Sequence, residues 1–121
     1  MTTLIKNGQV VTSFNTLAAD LMIEGEKITR VEPGIAVEPG MDVIDASGRY
    51  ILPGGIDVHV HLDLPMFGTF SSDDHYTGTK AAAFGGTTTV IDFVSQDTSP
   101  LLANVEAWHA KADPKAAIAF G

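Results

Sequence analysis

The chain has 121 residues and, with 7 Lys+Arg against 15 Asp+Glu, a formal net charge of −8 at pH 7. At 45% hydrophobic and 18% charged it can bury a core of ordinary single-domain size, which excludes intrinsic disorder. The acidic balance argues against nucleic-acid binding, and the absence of Cys removes disulfides, thiolate nucleophiles and Cys-ligated zinc, as suits a cytoplasmic setting.

Met1 to Gly8 shows no basic region leading into a long apolar run, so no secretory signal is expected. Nothing approaches the roughly 18 consecutive apolar residues of a membrane span. Residues 1–52 are short apolar runs broken by turn residues and read as a small antiparallel β unit of sandwich type. Leu4-Ile5-Lys6 and Gln9-Val10-Val11-Thr12 flank Asn7-Gly8, a strong hairpin signal. Ala18 to Glu24 and Lys27 to Val31 flank Gly25-Glu26 as a second hairpin. Pro33-Gly34 and Pro39-Gly40 punctuate the next stretch, and Asp42 to Asp45 and Arg49 to Leu52 read as further strands around Ser47-Gly48.

Residues 53–121 have another pattern. Gly55 to His61 reads as a strand, and Leu62 to about Ser72 as an irregular loop. Asp73 to Phe84 reads as a helix with Ser71 or Ser72 as N-cap, acids in its first turn and Gly85-Gly86 ending it. Thr87 to Val94 is a β-branched strand. Ser99-Pro100 opens a second helix, as N-cap and first-turn proline, that runs to about Ala112. Lys115 to Phe120 begins a third strand. Strands alternating with helices imply right-handed crossovers and a parallel sheet.

The sharpest chemical feature is His59-Val60-His61 at the C-terminal end of the first strand of that sheet. Alternate strand residues share a face, so both imidazoles point the same way and can share a divalent ion. Parallel α/β folds place their sites at this end of the sheet. An isolated His-x-His is more often a coincidence on a surface than a ligand pair, and its context is what gives it weight.

Leu52-Pro53-Gly54-Gly55-Ile56-Asp57-Val58-His59-Val60-His61-Leu62 resembles the opening signature of the metal-dependent amidohydrolase superfamily. Asp63-Leu64-Pro65 and the run from Ser72 to Phe93 are similar to its dihydropyrimidinase and D-hydantoinase branch, with allantoinase and dihydroorotase as near neighbours. The resemblance covers essentially the whole chain. It implies a (β/α)8 TIM barrel hydrolase that opens a ring C–N amide bond in a cyclic ureide, working as a homo-oligomer, typically a tetramer. It implies that His59 and His61 bind one ion of a pair of divalent metals, zinc first and Mn, Fe or Ni as alternatives. A carboxylated lysine, a second His pair and a late Asp would complete the centre, and none of them is identifiable here. A barrel of this kind needs about 250 residues, so the chain reads as the N-terminal part of the enzyme and as inactive alone.

The resemblance also makes the loop after His61 the wall of the pocket for the substrate's ring substituent, with Leu64 and Met66 at apolar contact positions. Relatives commonly carry Pro-Phe-Gly-Gly where this chain has Pro65-Met66-Phe67-Gly68; methionine keeps the pocket apolar and softens its shape. Simple packing of Leu64, Met66 and Phe67 onto the loop is the competing reading. Asp57 is expected to support the ligands rather than bind metal, Asp63 to cap the loop, and Asp73 and Asp74 to serve the helix dipole. Asp92 closes a strand at the functional end, with a structural role the stronger reading. His75 and Lys80 on the first helix, and His109 on the second, lie away from strand ends and are not ligands. Leu102, Val105 and His109, with Trp108 beside them, form the buried face of the second helix. Two rival readings stand beside the enzyme: a non-catalytic scaffold of the same fold, which has no need of the His pair, and a self-contained metal-binding or interaction module.

Overall fold

A computed structural model describes residues 1–121, which divide into two compact units, Met1–Pro53 and Gly54–Gly121. The fold is mixed α/β, and none of its helices is long and apolar enough to cross a membrane.

The first unit holds one five-stranded sheet. Strand β1 (Thr2–Val11) pairs antiparallel with β2 (Thr16–Glu24), and β2 with β3 (Lys27–Glu32). On the other edge of β1 lie β4 (Asp42–Asp45) and β5 (Tyr50–Ile51), both parallel to it. The sheet is therefore mixed rather than antiparallel. Asn7-Gly8 is no hairpin turn either: β1 runs straight through it, and Asn7 takes φ 62° at a one-residue bulge against β2. The left-handed tolerance that makes Asn a turn residue serves a bulge equally well. Gly8 is needed beside it, because a Cβ there would stand 2.8 Å from Ile51 Cγ1 and 3.2 Å from Ala46 Cβ. The true β1–β2 turn is closed by Thr12, whose Oγ accepts from the backbone N–H groups of Phe14 and Asn15. The hairpin about Gly25-Glu26 forms as expected.

Buried Leu4, Met22 and Ile35 form the core of this unit, with Met41 against them. Ile35 is carried there by the segment that crosses from β3 to β4, and its backbone is anchored by Asp20. That carboxylate, 4% exposed as a residue, accepts from Lys6 Nζ (2.9 Å), Asn7 N–H (2.8 Å) and Ile35 N–H (2.9 Å). The same three donors, Lys6 first and then Asn7, hold its pKa below the ordinary carboxylate value.

In the second unit β6 (Gly55–Val60), β9 (Thr87–Asp92) and β10 (Ala119–Phe120) form a parallel sheet in the order β10-β9-β6. Gly54 precedes β6 because a Cβ there would run into the Thr88 side chain. Between β6 and β9 come a short hairpin, β7 (Pro65–Met66) with β8 (Thr69–Phe70), and helix α1 (His75–Phe84). The hairpin lies inside the expected irregular loop. Its two-residue turn, Phe67-Gly68 with φ of 48° and 80°, has the left-handed geometry that matches strand twist.

Helix α1 starts later than the sequence suggests. Its N-cap is Asp74, whose Oδ1 accepts from Tyr76 N–H (3.0 Å) and Thr77 N–H (2.9 Å), while Asp74 N–H donates to Thr77 Oγ1. No acid lies in its first turn. Ser71 instead ties the loop, its Oγ accepting from Leu64 N–H at 3.0 Å. Gly86, at φ 85°, ends α1 as expected. Helix α2 (Leu101–Ala112) is preceded by Pro100 at the N-cap with no side-chain cap. Ser99 is held outside, its N–H on Asp97 Oδ1 at 2.7 Å. Asn104 and Val105 are half-buried and Trp108 and Ala112 buried, so the inward stripe passes through these positions; Leu102 and His109 are exposed. Val90, His75 and Thr79 complete the buried set of this unit.

Replacing Asp20 with Ala leaves two N–H groups without their acceptor and the part-buried Lys6 ammonium with only the Ile35 carbonyl. It is expected to cost about 3 kcal/mol of unfolding free energy in denaturant titrations, against near-neutral change for the exposed Glu26→Ala. The Asp74 carboxyl is pulled from an ordinary 3.8 to about 2, first by the Thr77 N–H and then by Lys115. Its contribution is therefore fully present above about pH 4 and is lost as pH falls toward 2. Asp74→Ala should lower stability at neutral pH, and stability-versus-pH curves of the two proteins should converge at the acid end.

Candidate metal centre

Strand β6 carries a bulge at the histidines. Asp57 pairs with Val90 and Val60 with Asp92, so three steps along β6 match two along β9. An extra residue lifts a backbone N–H out of the ladder and re-aims side chains. Here the His59 N–H is received by the carboxylate of Asp57 at 3.1 Å. Asp57 thus fixes the backbone of the bulge rather than reaching toward the imidazoles.

The result is convergence. His59 Nε2 and His61 Nε2 stand 3.2 Å apart, with the rings edge to face at a centroid separation of 5.0 Å. Two imidazole nitrogens about 2.05 Å from one zinc at a tetrahedral angle would be about 3.3 Å apart. The donor set and its spacing fit a shared divalent ion. The strand ends at Val60, and His61 is the first residue beyond it.

Phe93, to which no role was expected from sequence, lies against both rings, with centroids 4.5 Å from His59 and 5.4 Å from His61. The available signal was positional: Phe93 directly follows β9, at the same sheet end as the His pair. Both histidines are exposed on their other sides, and no group of three or more His, Asp or Glu side chains is arranged to hold a metal.

Below this rim lies a buried polar cluster. The Asp92 side chain is 2% exposed; its Oδ2 accepts from Trp108 Nε1–H at 3.1 Å and Leu62 N–H at 3.4 Å, and its Oδ1 from Phe93 N–H at 2.7 Å. His75 Nε2 is 3.5 Å from Asp92 Oδ2, and its ring meets Trp108 edge to face. The expectation that His75 sits away from the strand ends is therefore corrected. As the first residue of α1 it is 1% exposed and packed under the end of β9.

Leu64 and Met66 separate. Leu64 lines a cavity of about 250 Å3 together with Leu62, Pro65, Phe93, Trp108 and Lys111, while Met66 is 43% exposed in β7 and does not line it. Asp63 takes φ 49°, donates its N–H to Asp73 O at 2.8 Å and keeps its carboxylate 3.4 Å from Lys111 Nζ, which makes it a loop residue. Lys80 lies over the Tyr76 ring and His109 pairs with Asp113 at the surface, so neither approaches the His pair.

Replacing Asp57 with Ala leaves the His59 N–H without its acceptor. The imidazole NMR resonances of His59 and His61 should shift together while those of His109 stay in place, with about 1 kcal/mol of stability lost. Unmoved His59 and His61 signals would show that the bulge holds without Asp57.

Comparison with known proteins places this geometry in a lineage. Residues 50–119 match the model of the Amidohydrolase family. A D-hydantoinase of Geobacillus stearothermophilus is 51% identical over 122 aligned residues, which take in 100% of this chain and 26% of the relative. A solved D-hydantoinase structure superposes with a TM-score of 0.95 at 50% identity, over 100% of this chain and 26% of its own. The dihydropyrimidinase from Brevibacillus agri NCHU1002 superposes with the same TM-score of 0.95 at 48% identity, again over 100% of this chain and 26% of its own. The chain thus spans about a quarter of the length of the relatives it matches, and over that span it belongs to the Amidohydrolase family.

Proposed function

We propose that this chain supplies the first two metal ligands, His59 and His61, of a cyclic amidohydrolase that opens the ring C–N amide bond of a dihydropyrimidine or hydantoin. The observation that carries this reading is the 3.2 Å approach of the two Nε2 atoms at the C-terminal end of a parallel strand. Membership of the Amidohydrolase family implies divalent metal use, and the names D-hydantoinase and dihydropyrimidinase on the relatives supply the substrate class.

A divalent cation bound here, zinc first, would supply a water of lowered pKa and an electrophile for the scissile carbonyl. The chain's own residues do the positioning. Asp57 fixes the backbone at His59, Phe93 packs on both imidazoles, and Leu64, which lines a cavity together with Phe93, is assigned to the apolar wall for the ring substituent of a cyclic ureide. Met66, exposed on the β7–β8 hairpin, is assigned to the same wall.

On this reading residues 53–121 begin a (β/α)8 barrel, and residues 1–52 contribute one sheet of a β-sandwich. Parallel sheets are ordinarily covered on both faces, whereas Ile56 and Val58 of β6 are each 64% exposed, as expected of strands that further barrel elements would cover. A bridging carboxylated lysine, a second His pair and a catalytic Asp would come from later strands of a chain of the relatives' length. Assembly as a tetramer in the cytoplasm belongs to the same proposal. A scaffold without catalysis is the rival, and the convergent His pair favours the enzyme, because a scaffold has no use for aligned ligands.

In the complete protein, replacing His59 and His61 together with Ala should abolish both bound metal, by elemental analysis, and hydrolysis of dihydrouracil and hydantoin. Stoichiometric metal retained by the double variant would overturn the assignment.

A further inference from the structure

We infer that Asp92 is the positioning residue of the candidate metal centre, holding His61 and Phe93 in register through two backbone N–H groups. The inference rests on the proposed metal-binding role of His59 and His61, and it concerns how that pair is held, not what it binds.

Asp92 ends β9, beside the rim where the imidazoles converge. One carboxylate oxygen receives the N–H of Leu62, the residue next to His61. The other receives the N–H of Phe93, whose ring packs on both imidazoles. The carboxylate thus holds the backbone just after His61 and the backbone of the residue whose ring meets both imidazoles. Leu62 is confined a second time, because its side chain lies where a Cβ at Gly78 would be. A glycine inside a helix is unfavourable relative to Ala, and here it leaves room for the residue next to a ligand.

The carboxylate is itself anchored from below. Trp108 Nε1–H on α2 donates to the oxygen that holds Leu62, and His75 on α1 lies 3.5 Å from it. Helix α2 is thereby connected to the metal rim through one side chain that is 2% exposed, while both ring nitrogens of His75 remain without a hydrogen-bond partner. Asp92 divides its oxygens between Trp108 in the packing layer and the N–H groups of Leu62, next to His61, and Phe93, whose ring meets both imidazoles.

The test is made in the complete, metal-loaded protein. Asp92→Asn keeps size and shape and weakens the grip on the N–H groups. Zinc affinity, read by chelator competition, should fall about 10- to 100-fold, the usual loss when a group supporting metal ligands is removed. The visible absorption of the cobalt-substituted protein should change with it. Trp108→Phe removes one donor and keeps a packed ring; it should lower zinc affinity at least threefold, and it decides the matter if Asp92→Asn does not fold. Unchanged affinity and an unchanged cobalt spectrum in a folded variant, with only the melting temperature lowered, would make Asp92 a packing residue and overturn the inference. His59→Ala separates the two levels. If it loses zinc while Asp92→Asn does not, positioning fails and the metal site stands; if it keeps zinc, the site reading itself fails.

Discussion

A carboxylate removed from water must find hydrogen-bond donors, and each unit of this chain is organised around one such demand. In the first unit Asp20 gathers Lys6, the bulged Asn7 and the returning Ile35; in the second Asp92 gathers Leu62, Phe93 and Trp108. Apolar burial is modest in both units: the first buries Leu4, Met22 and Ile35 as one cluster, with Val10, Ala19, Leu21 and Ala46 also buried, and the second a few residues about Val90, Trp108 and Ala112. Non-directional packing of that extent holds elements together without fixing their register. The carboxylates add direction, because an N–H must be presented at about 3 Å and nearly in line.

The bulges at Asn7 and at the histidines arise from the same need. At Asn7 the extra residue in β1 turns an N–H toward Asp20, and in β6 the extra residue turns the His59 N–H toward Asp57. An unbulged strand would return both groups to the ladder, and in β6 it would alter which way the imidazoles project. The 3.2 Å separation of the two Nε2 atoms is therefore a product of backbone irregularity as much as of strand alternation. Alternation brings residues 59 and 61 to one side; the bulge and the Phe93 ring set how closely they meet.

The origin of each signal decides what is legible in the sequence. The His59-Val60-His61 pattern, the parallel strand–helix alternation and the Gly25 and Gly86 turns are local, carried by residues within a few positions of one another. Asn7-Gly8 misleads because a left-handed residue marks a reversal or a bulge alike, and only the partner strand decides between them. The first helix starts at Asp74 because four polar residues in a row, Ser71 to Asp74, can each cap; the choice falls to the one with Thr77 three positions on, forming a reciprocal pair. The parallel course of β4 and β5 is hidden because the crossing segment 33–41 has turn residues and no helix, so it resembles a hairpin connection. The cluster of His75, Asp92 and Trp108 joins residues up to 33 positions apart by their numbering. Periodicity is blind to such contacts, and a histidine at the start of a helix gives no sign of burial until the strand beneath it is placed.

On the proposed function, the two ligands contributed here form a half-site whose shape is set within one unit of the chain. Every group that sets it, from Asp57 and the bulge to Phe93, Asp92 and Trp108, belongs to the unit Gly54–Gly121. Two imidazoles alone hold a divalent ion weakly, because its charge and remaining coordination positions are left to water. Tight binding then arises only as later strands add their ligands, and the energy of that binding becomes folding energy for the barrel. A pair already fixed near the spacing of a shared ion reduces the ordering needed at that step. The burial of Asp92 obeys the same logic: a rim open to solvent can stay rigid before the metal and the other ligands arrive only if its restraints lie below it, where water does not compete for them.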